Sequence, residues 1–219
     1  MTTQNDYSKR PVWLLCEGND CYFFFMRVLE KLEMLNVYCL DVKGINDRDL
    51  FRGVIKKTNY NNTKVIVYVR DAEYESVDGA VNYESVIKSI KSRFASIDLS
   101  VGDKPIELTY TGRKQAGYII LTNNDGNVGT LEDLCLSIAV DNDAVDDAVS
   151  TVDYVNDKRN GKVLKHAHKR KLHIAFALNG KEKMVGAKTG EAVTNGGLNL
   201  DHDRFKSIRK FLTLINECP

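Results

Sequence analysis

Two rhythms of apolar residues alternate along the chain. Val12-Trp13-Leu14-Leu15 follows Pro11 without a polar break, and Val65-Ile66-Val67-Tyr68-Val69 repeats the pattern in mostly β-branched form. Continuous runs of that length predict strands buried on both faces, as in a parallel sheet. Elsewhere the apolar spacing widens to three and four residues. Tyr22, Phe25, Met26, Leu29, Leu32 and Leu35 predict a helix reaching about Leu35. Tyr83, Val86, Ile87, Ile90, Phe94 and Ile97 predict another, whose opposite face, with Lys88, Lys91 and Arg93, reads as solvated. Phe205, Ile208, Phe211, Leu212 and Ile215 give a last helix capped by Asp201 or Asp203.

The intervening segments fill in the alternation. Residues 37–42 read as a second strand, and Asn46 or Asp47 as the cap of a short helix carrying Leu50, Phe51, Val54 and Ile55. Residues 106–111 and 118–122 read as strands around Gly112-Arg113-Lys114-Gln115, either a hairpin or two non-adjacent strands. Thr130 is a good helix cap. The glycine-rich stretch 180–199 reads as a long loop that closes over something. Strands alternating with helices make the fold class α/β.

Composition narrows the picture. A chain of 219 residues can bury one good-sized core. Its 31 basic and 30 acidic residues leave a net charge of +1, which excludes a coat held on nucleic acid by a broad basic field. The five cysteines include no C-x-x-C pair, and Cys16 and Cys39 fall in strand patterns, where a free thiol behaves as a small hydrophobe. Reduced thiols of a cytoplasmic protein are expected. Residues 1–10 are polar and lack the apolar stretch of a secretory signal, and no run is long enough to span a membrane, so no membrane partner is expected. An acidic block, residues 141–157, precedes a basic one running from Lys158 to Lys171. The two predict either helices facing each other or a solvated acidic helix beside a phosphate-binding one. His166, His168 and His173 lack zinc-ligand spacing and read as surface histidines.

The candidate chemistry sits where the core strands end. Glu17 and Gly18 follow the first strand, with Asn19 or Asp20 as cap of the next helix, and Gly18 permits the sharp exit. That edge is where open α/β sheets place their chemistry. Asp71 and Glu73 end the second buried run, two apart, so an extended backbone sends both to one face. If the two strands are neighbours, the three acids converge. Two unit charges ~4 Å apart repel by roughly 4 kcal/mol near a protein surface. The cluster then needs a cation, protons or basic partners, and oxygen ligands favour Mg²⁺ or Mn²⁺ over zinc. Glu132 and Asp133, just after Thr130, either complement the helix dipole or bring Glu132 in as a further metal ligand.

With these residues in view, the chain resembles the Toprim fold, the catalytic domain shared by topoisomerases, primases and OLD-family nucleases. Glu17-Gly18 looks like that family's first motif. Asp71-Ala72-Glu73 is similar to its D-x-D motif with glutamate in the last place. Gly129-Thr130-Leu131-Glu132-Asp133-Leu134 resembles a stretch after the last core strand in OLD-like and small stand-alone Toprim proteins, and the ending, Val185-Gly186 through Asp201-His202 and Phe205 to Leu212, looks like that of one uncharacterised bacterial and archaeal branch of them. The resemblance implies a Rossmann-like central sheet of about four mainly parallel strands with helices on both faces. It implies a catalytic core over residues 1–140 and a helical extension, 141–219, packed on the same domain. Asp71, Glu73 and Glu132 would bind Mg²⁺ or Mn²⁺, with Glu17 a metal ligand or a general acid/base. OLD-like first motifs carry a second acid four places after the glutamate. Here that place is Cys21, and Asp20 stands three places on, a catalytic acid or a helix cap.

The activity implied is metal-dependent phosphodiester cleavage of DNA or RNA. Arg113, Lys162, Lys165, Lys169 and Arg170 are the candidate phosphate contacts. An ATPase subunit, as in phage-defence gene pairs, is an implied partner, and self-association is left open. The competing expectation is a non-catalytic Toprim scaffold or nucleic-acid-binding module, since fold does not fix function.

Overall fold

The computed structural model describes residues 10–42, 62–73, 83–123, 126, 128–159 and 164–218. Strand β1 (Val12–Cys16) leads into α1 (Asn19–Lys31), followed by β2 (Val37–Asp41) and β3 (Val65–Asp71). Helix α2 (Tyr83–Ala95) precedes β4 (Leu108–Thr111) and β5 (Lys114–Leu121). The rest is helical: α3 (Leu131–Ser137), α4 (Asn142–Lys158), α5 (Ala167–Leu178), α6 (Thr189–Thr194) and α7 (Asp203–Asn216), with a 3-10 turn at Glu182–Met184.

The strands form one sheet in the order β2-β1-β3-β5-β4. All pairings are parallel except β4 with β5. The fold is therefore α/β with a five-stranded, mostly parallel sheet, compatible with a Rossmann-like arrangement. It holds one strand more than expected, because 106–111 folds back on β5 as a hairpin. The turn is Gly112-Arg113, with Gly112 at φ 60°, and Lys114 and Gln115 already belong to β5. Glycine takes that left-handed conformation without strain.

Alternation along each strand separates two cores, which is why the runs have no polar break. Val12, Leu14, Cys16, Val65, Val67 and Val69 face Phe24 and Phe25 of α1, Leu134 of α3, Phe176 of α5, Val193 of α6 and Phe205 of α7. Trp13, Leu15, Ile66 and Tyr68 face Val86, Ile90 and Phe94 of α2. Each large apolar side chain buried in this way contributes about 1.5–3 kcal/mol. Leu172, Phe211 and Ile215 join the first core, so the C-terminal helices pack on the same body as the strands. The acidic and basic blocks form α4 and the start of α5, which pack together with Lys171 Nζ 3.0 Å from Asp153 Oδ1.

Several local expectations change. Helix α1 ends at Lys31 and leaves Leu35 73% exposed. Its cap is Gly18 at φ 96°, and Asn19 and Asp20 are its first helical residues, so neither caps it. His202, not Asp201 or Asp203, caps α7, its Nδ1 accepting the Arg204 N–H at 3.2 Å, while Asp201 pairs with Arg209. The 180–199 segment is not an open loop: Met184, Ala187, Ala192 and Val193 are buried. Arg93 is not solvated either; its spacing from Val86 and Ile90 puts it on the buried face of α2. The expected helix at Leu50 to Ile55 lies outside the described residues.

Candidate active site at the carboxyl edge of the sheet

Parallel pairing aligns the ends of β1 and β3, with Cys16 beside Val69. Glu17 and Asp71 thereby reach the same rim, and Glu17 N–H donates to the Val69 carbonyl at 3.3 Å. A cavity of about 460 Å³ opens there, lined by the acids Glu17, Asp20, Asp71, Glu73 and Glu132 and by the basic residues His166, His168 and Lys169. Acids from β1, α1, β3 and α3 are thus gathered at one edge.

Glu73 arrives by a different route from the one its spacing suggests. The extended backbone stops at Asp71, and Glu73 sits at φ 64° with its N–H on the Gly129 carbonyl at 2.9 Å and its carbonyl accepting Gly129 N–H at 3.2 Å. Gly129 is held at φ 137°, where a Cβ would stand 2.2 Å from the Asn123 nitrogen. Only glycine fits there. This bridge places the start of α3 against the end of β3, and Asp71 Oδ1 accepts the Leu131 N–H at 2.9 Å.

The two acids that open α3 have divided the work. Asp133 carries the cap: its Oδ2 accepts Thr130 N–H at 2.8 Å and lies 2.9 Å from the Thr130 hydroxyl. Glu132 is released from that duty and turns into the cavity, where its side chain is only 7% exposed. Burial raises the Asp71 carboxyl well above its ordinary value, and Glu132 and then Glu73 push it further, against the Leu131 N–H. Among the described residues no lysine or arginine pairs with Asp71 or Glu73.

The other acids have basic partners that their own segments do not announce. Glu17 is held by Arg70 Nε at 3.1 Å and by Arg93 Nη1 at 3.7 Å. Arg93, buried, also donates to the Tyr68 hydroxyl, and Arg70 donates to Ser89 Oγ at 2.9 Å. Lys169 Nζ lies 3.3 Å from Asp20 Oδ2 and 3.3 Å from Glu132 Oε1. The signal for Arg93 was its helical spacing, and for Arg70 its place next to Asp71. His166 and His168 carried no local signal of the cavity they line, and Lys169 was marked only as one cation of the basic block. Cys21, which stands where the resemblance has an acid, is buried and its thiol is pushed up by that burial, so it adds no charge.

Of the expected phosphate contacts, Lys169 is in the site. Lys165 and Arg170 are exposed beside it, with Arg170 Nε donating to the Lys165 carbonyl at 3.3 Å. Arg113 is at the hairpin turn, the opposite end of β5 from Leu121, and so away from the acids. Lys162 lies outside the described residues.

The five carboxylates of the cavity are oxygen donors of the kind a hard divalent cation such as Mg²⁺ or Mn²⁺ takes, beside the imidazoles of His166 and His168. As the side chains stand, however, no three carboxylates, imidazoles or thiols among the described residues are placed to hold one ion. Lys169 and the two arginines occupy three of the acids. The fit is therefore one of chemistry and location, with Asp71, Glu73 and Glu132 as the ligands an ion would recruit.

Fold and site define an α/β protein with a carboxylate-lined cavity at the carboxyl edge of its parallel sheet. The chain belongs to a family described as a protein of unknown function, DUF3226, whose model matches residues 11–216. Neither the curated proteins nor the solved structures gave a match. No helix among the described residues is long and apolar enough to cross a membrane.

Proposed function

We propose that this protein is a Mg²⁺- or Mn²⁺-dependent phosphodiesterase of the Toprim/OLD type, acting on DNA or RNA. The observation that carries this reading is the meeting of Asp71, Glu73 and Glu132, from two separate segments, at one rim with Glu17 and Asp20. Asp71, raised first by burial and then by Glu132 and Glu73, has no lysine or arginine partner among the described residues, and this supports a cation as its counter-charge. Asp71, Glu73 and Glu132 would hold the cation, which would supply an activated water and charge neutralisation at the leaving oxygen.

The chain's own residues do the remaining work. Arg70 and Arg93 fix the Glu17 carboxylate at the rim, where it orients and deprotonates the attacking water. His166, His168 and Lys169 form the wall that faces the acids and receives the substrate's phosphate. Lys165 and Arg170, exposed on the same segment, extend that wall along the backbone of a longer substrate.

A second reading, a Toprim scaffold without catalysis, is favoured by one observation: Glu17, Asp20 and Glu132 already have basic partners. Cleavage assays on single- and double-stranded DNA and RNA with Mg²⁺ or Mn²⁺ separate the two. Asp71→Ala is expected to lower cleavage by roughly a thousandfold or more while circular dichroism stays unchanged. Equal activity in wild type and Asp71→Ala contradicts the proposal, and no cleavage of any substrate by the wild type favours the scaffold.

A further inference from the structure

Lys169 touches acids from two walls of the cavity. Its ammonium, 3.3 Å from each, joins Asp20 of α1 to Glu132 of α3. The two sides differ in freedom. Glu132 is nearly enclosed, at 7%, whereas Lys169 is 45% exposed on a flexible four-carbon stem. Lysine is therefore the partner able to leave, and its contact with Asp20, exposed on both sides, holds weakly.

We propose that Lys169 is a built-in counter-ion of the acidic cavity, occupying Asp20 and Glu132 until a divalent cation displaces it. The inference rests on the cation-binding reading above. A lysine that merely tied α5 to α1 and α3 would behave in the opposite way, because its loss would loosen the cavity and weaken binding.

Calorimetric titration of the full chain with Mn²⁺, without substrate, distinguishes these roles. Lys169→Met keeps the length of the stem and removes the charge, and it is expected to bind Mn²⁺ roughly tenfold tighter or more than wild type. Lys169→Arg should bind as wild type does. Lys169→Gln serves for the same comparison if the methionine variant melts early. Binding by the wild type that depends on Asp71, together with equal or weaker binding by the neutral variants, overturns the exchange and leaves the cation site intact. Absence of Mn²⁺ binding in wild type and variants alike overturns the cation reading itself, and the exchange with it.

Discussion

Asp71 concentrates the opposing forces of the site on a single carboxyl. Its Oδ1 has the Leu131 N–H at 2.9 Å, but burial, Glu132 and Glu73 together raise its pKa. Below its ordinary pKa of 3.8 the group is protonated folded and unfolded alike, and it contributes nothing to pH dependence. As pH rises above that point the unfolded chain loses the proton first, so Asp71 costs stability progressively until the folded carboxyl also ionises. An asparagine at this position would keep the hydrogen bond to Leu131 and shed the charge. Asp71→Asn is therefore expected to stabilise the metal-free protein by on the order of 1–3 kcal/mol near neutral pH. The gain should shrink to nothing below about pH 4. Urea midpoints measured at both pH values check this, and a variant less stable at neutral pH would contradict it. At this scale the acids were legible and their partners were only partly so. Glu17 and Asp71 were marked by ending buried runs, whereas the left-handed Glu73 depends on a bridge to Gly129, 56 residues along the chain, that no local pattern announces.

Among the elements, α6 shows most clearly what sequence reading loses. Glycine-rich and polar, its segment looks like a loop, because Thr189 and Gly190 are poor helix formers. Tertiary contact decides otherwise: Gly190 lies against the backbone of Phe23 in α1, where a Cβ would stand 2.9 Å from the carbonyl oxygen. Alanine at that position gains about 1 kcal/mol in helix propensity. It must also push α6 off α1, and such overpacking typically costs about 1–3 kcal/mol. Gly190→Ala is expected to lower stability by up to about 2 kcal/mol net. Gly180→Ala, where the added methyl meets nothing within 4 Å, should leave it within about 0.5 kcal/mol. Equal unfolding midpoints for the two variants would show that α6 does not pack as described. Helix α3 makes the converse point. Thr130 announced its start correctly, yet only the structure shows that Asp133 takes the cap and frees Glu132 for the cavity.

For the whole molecule, what matters is the order β2-β1-β3-β5, which puts the ends of β1 and β3 side by side. Buried runs in the sequence foretold parallel strands and an α/β fold, because β-branched residues without polar breaks suit nothing else of that length. Strand order and the return of α5 over the rim were not readable, since Lys169 meets Asp20 across 149 residues of chain. The proposed function makes that rim a cation site from which a lysine can withdraw. A crystal soaked in Mn²⁺ and measured for anomalous scattering tests it most directly. The prediction is a peak among Asp71, Glu73 and Glu132, with Lys169 moved off Glu132. A map without such a peak, and with the ammonium still seated between Asp20 and Glu132, would contradict it.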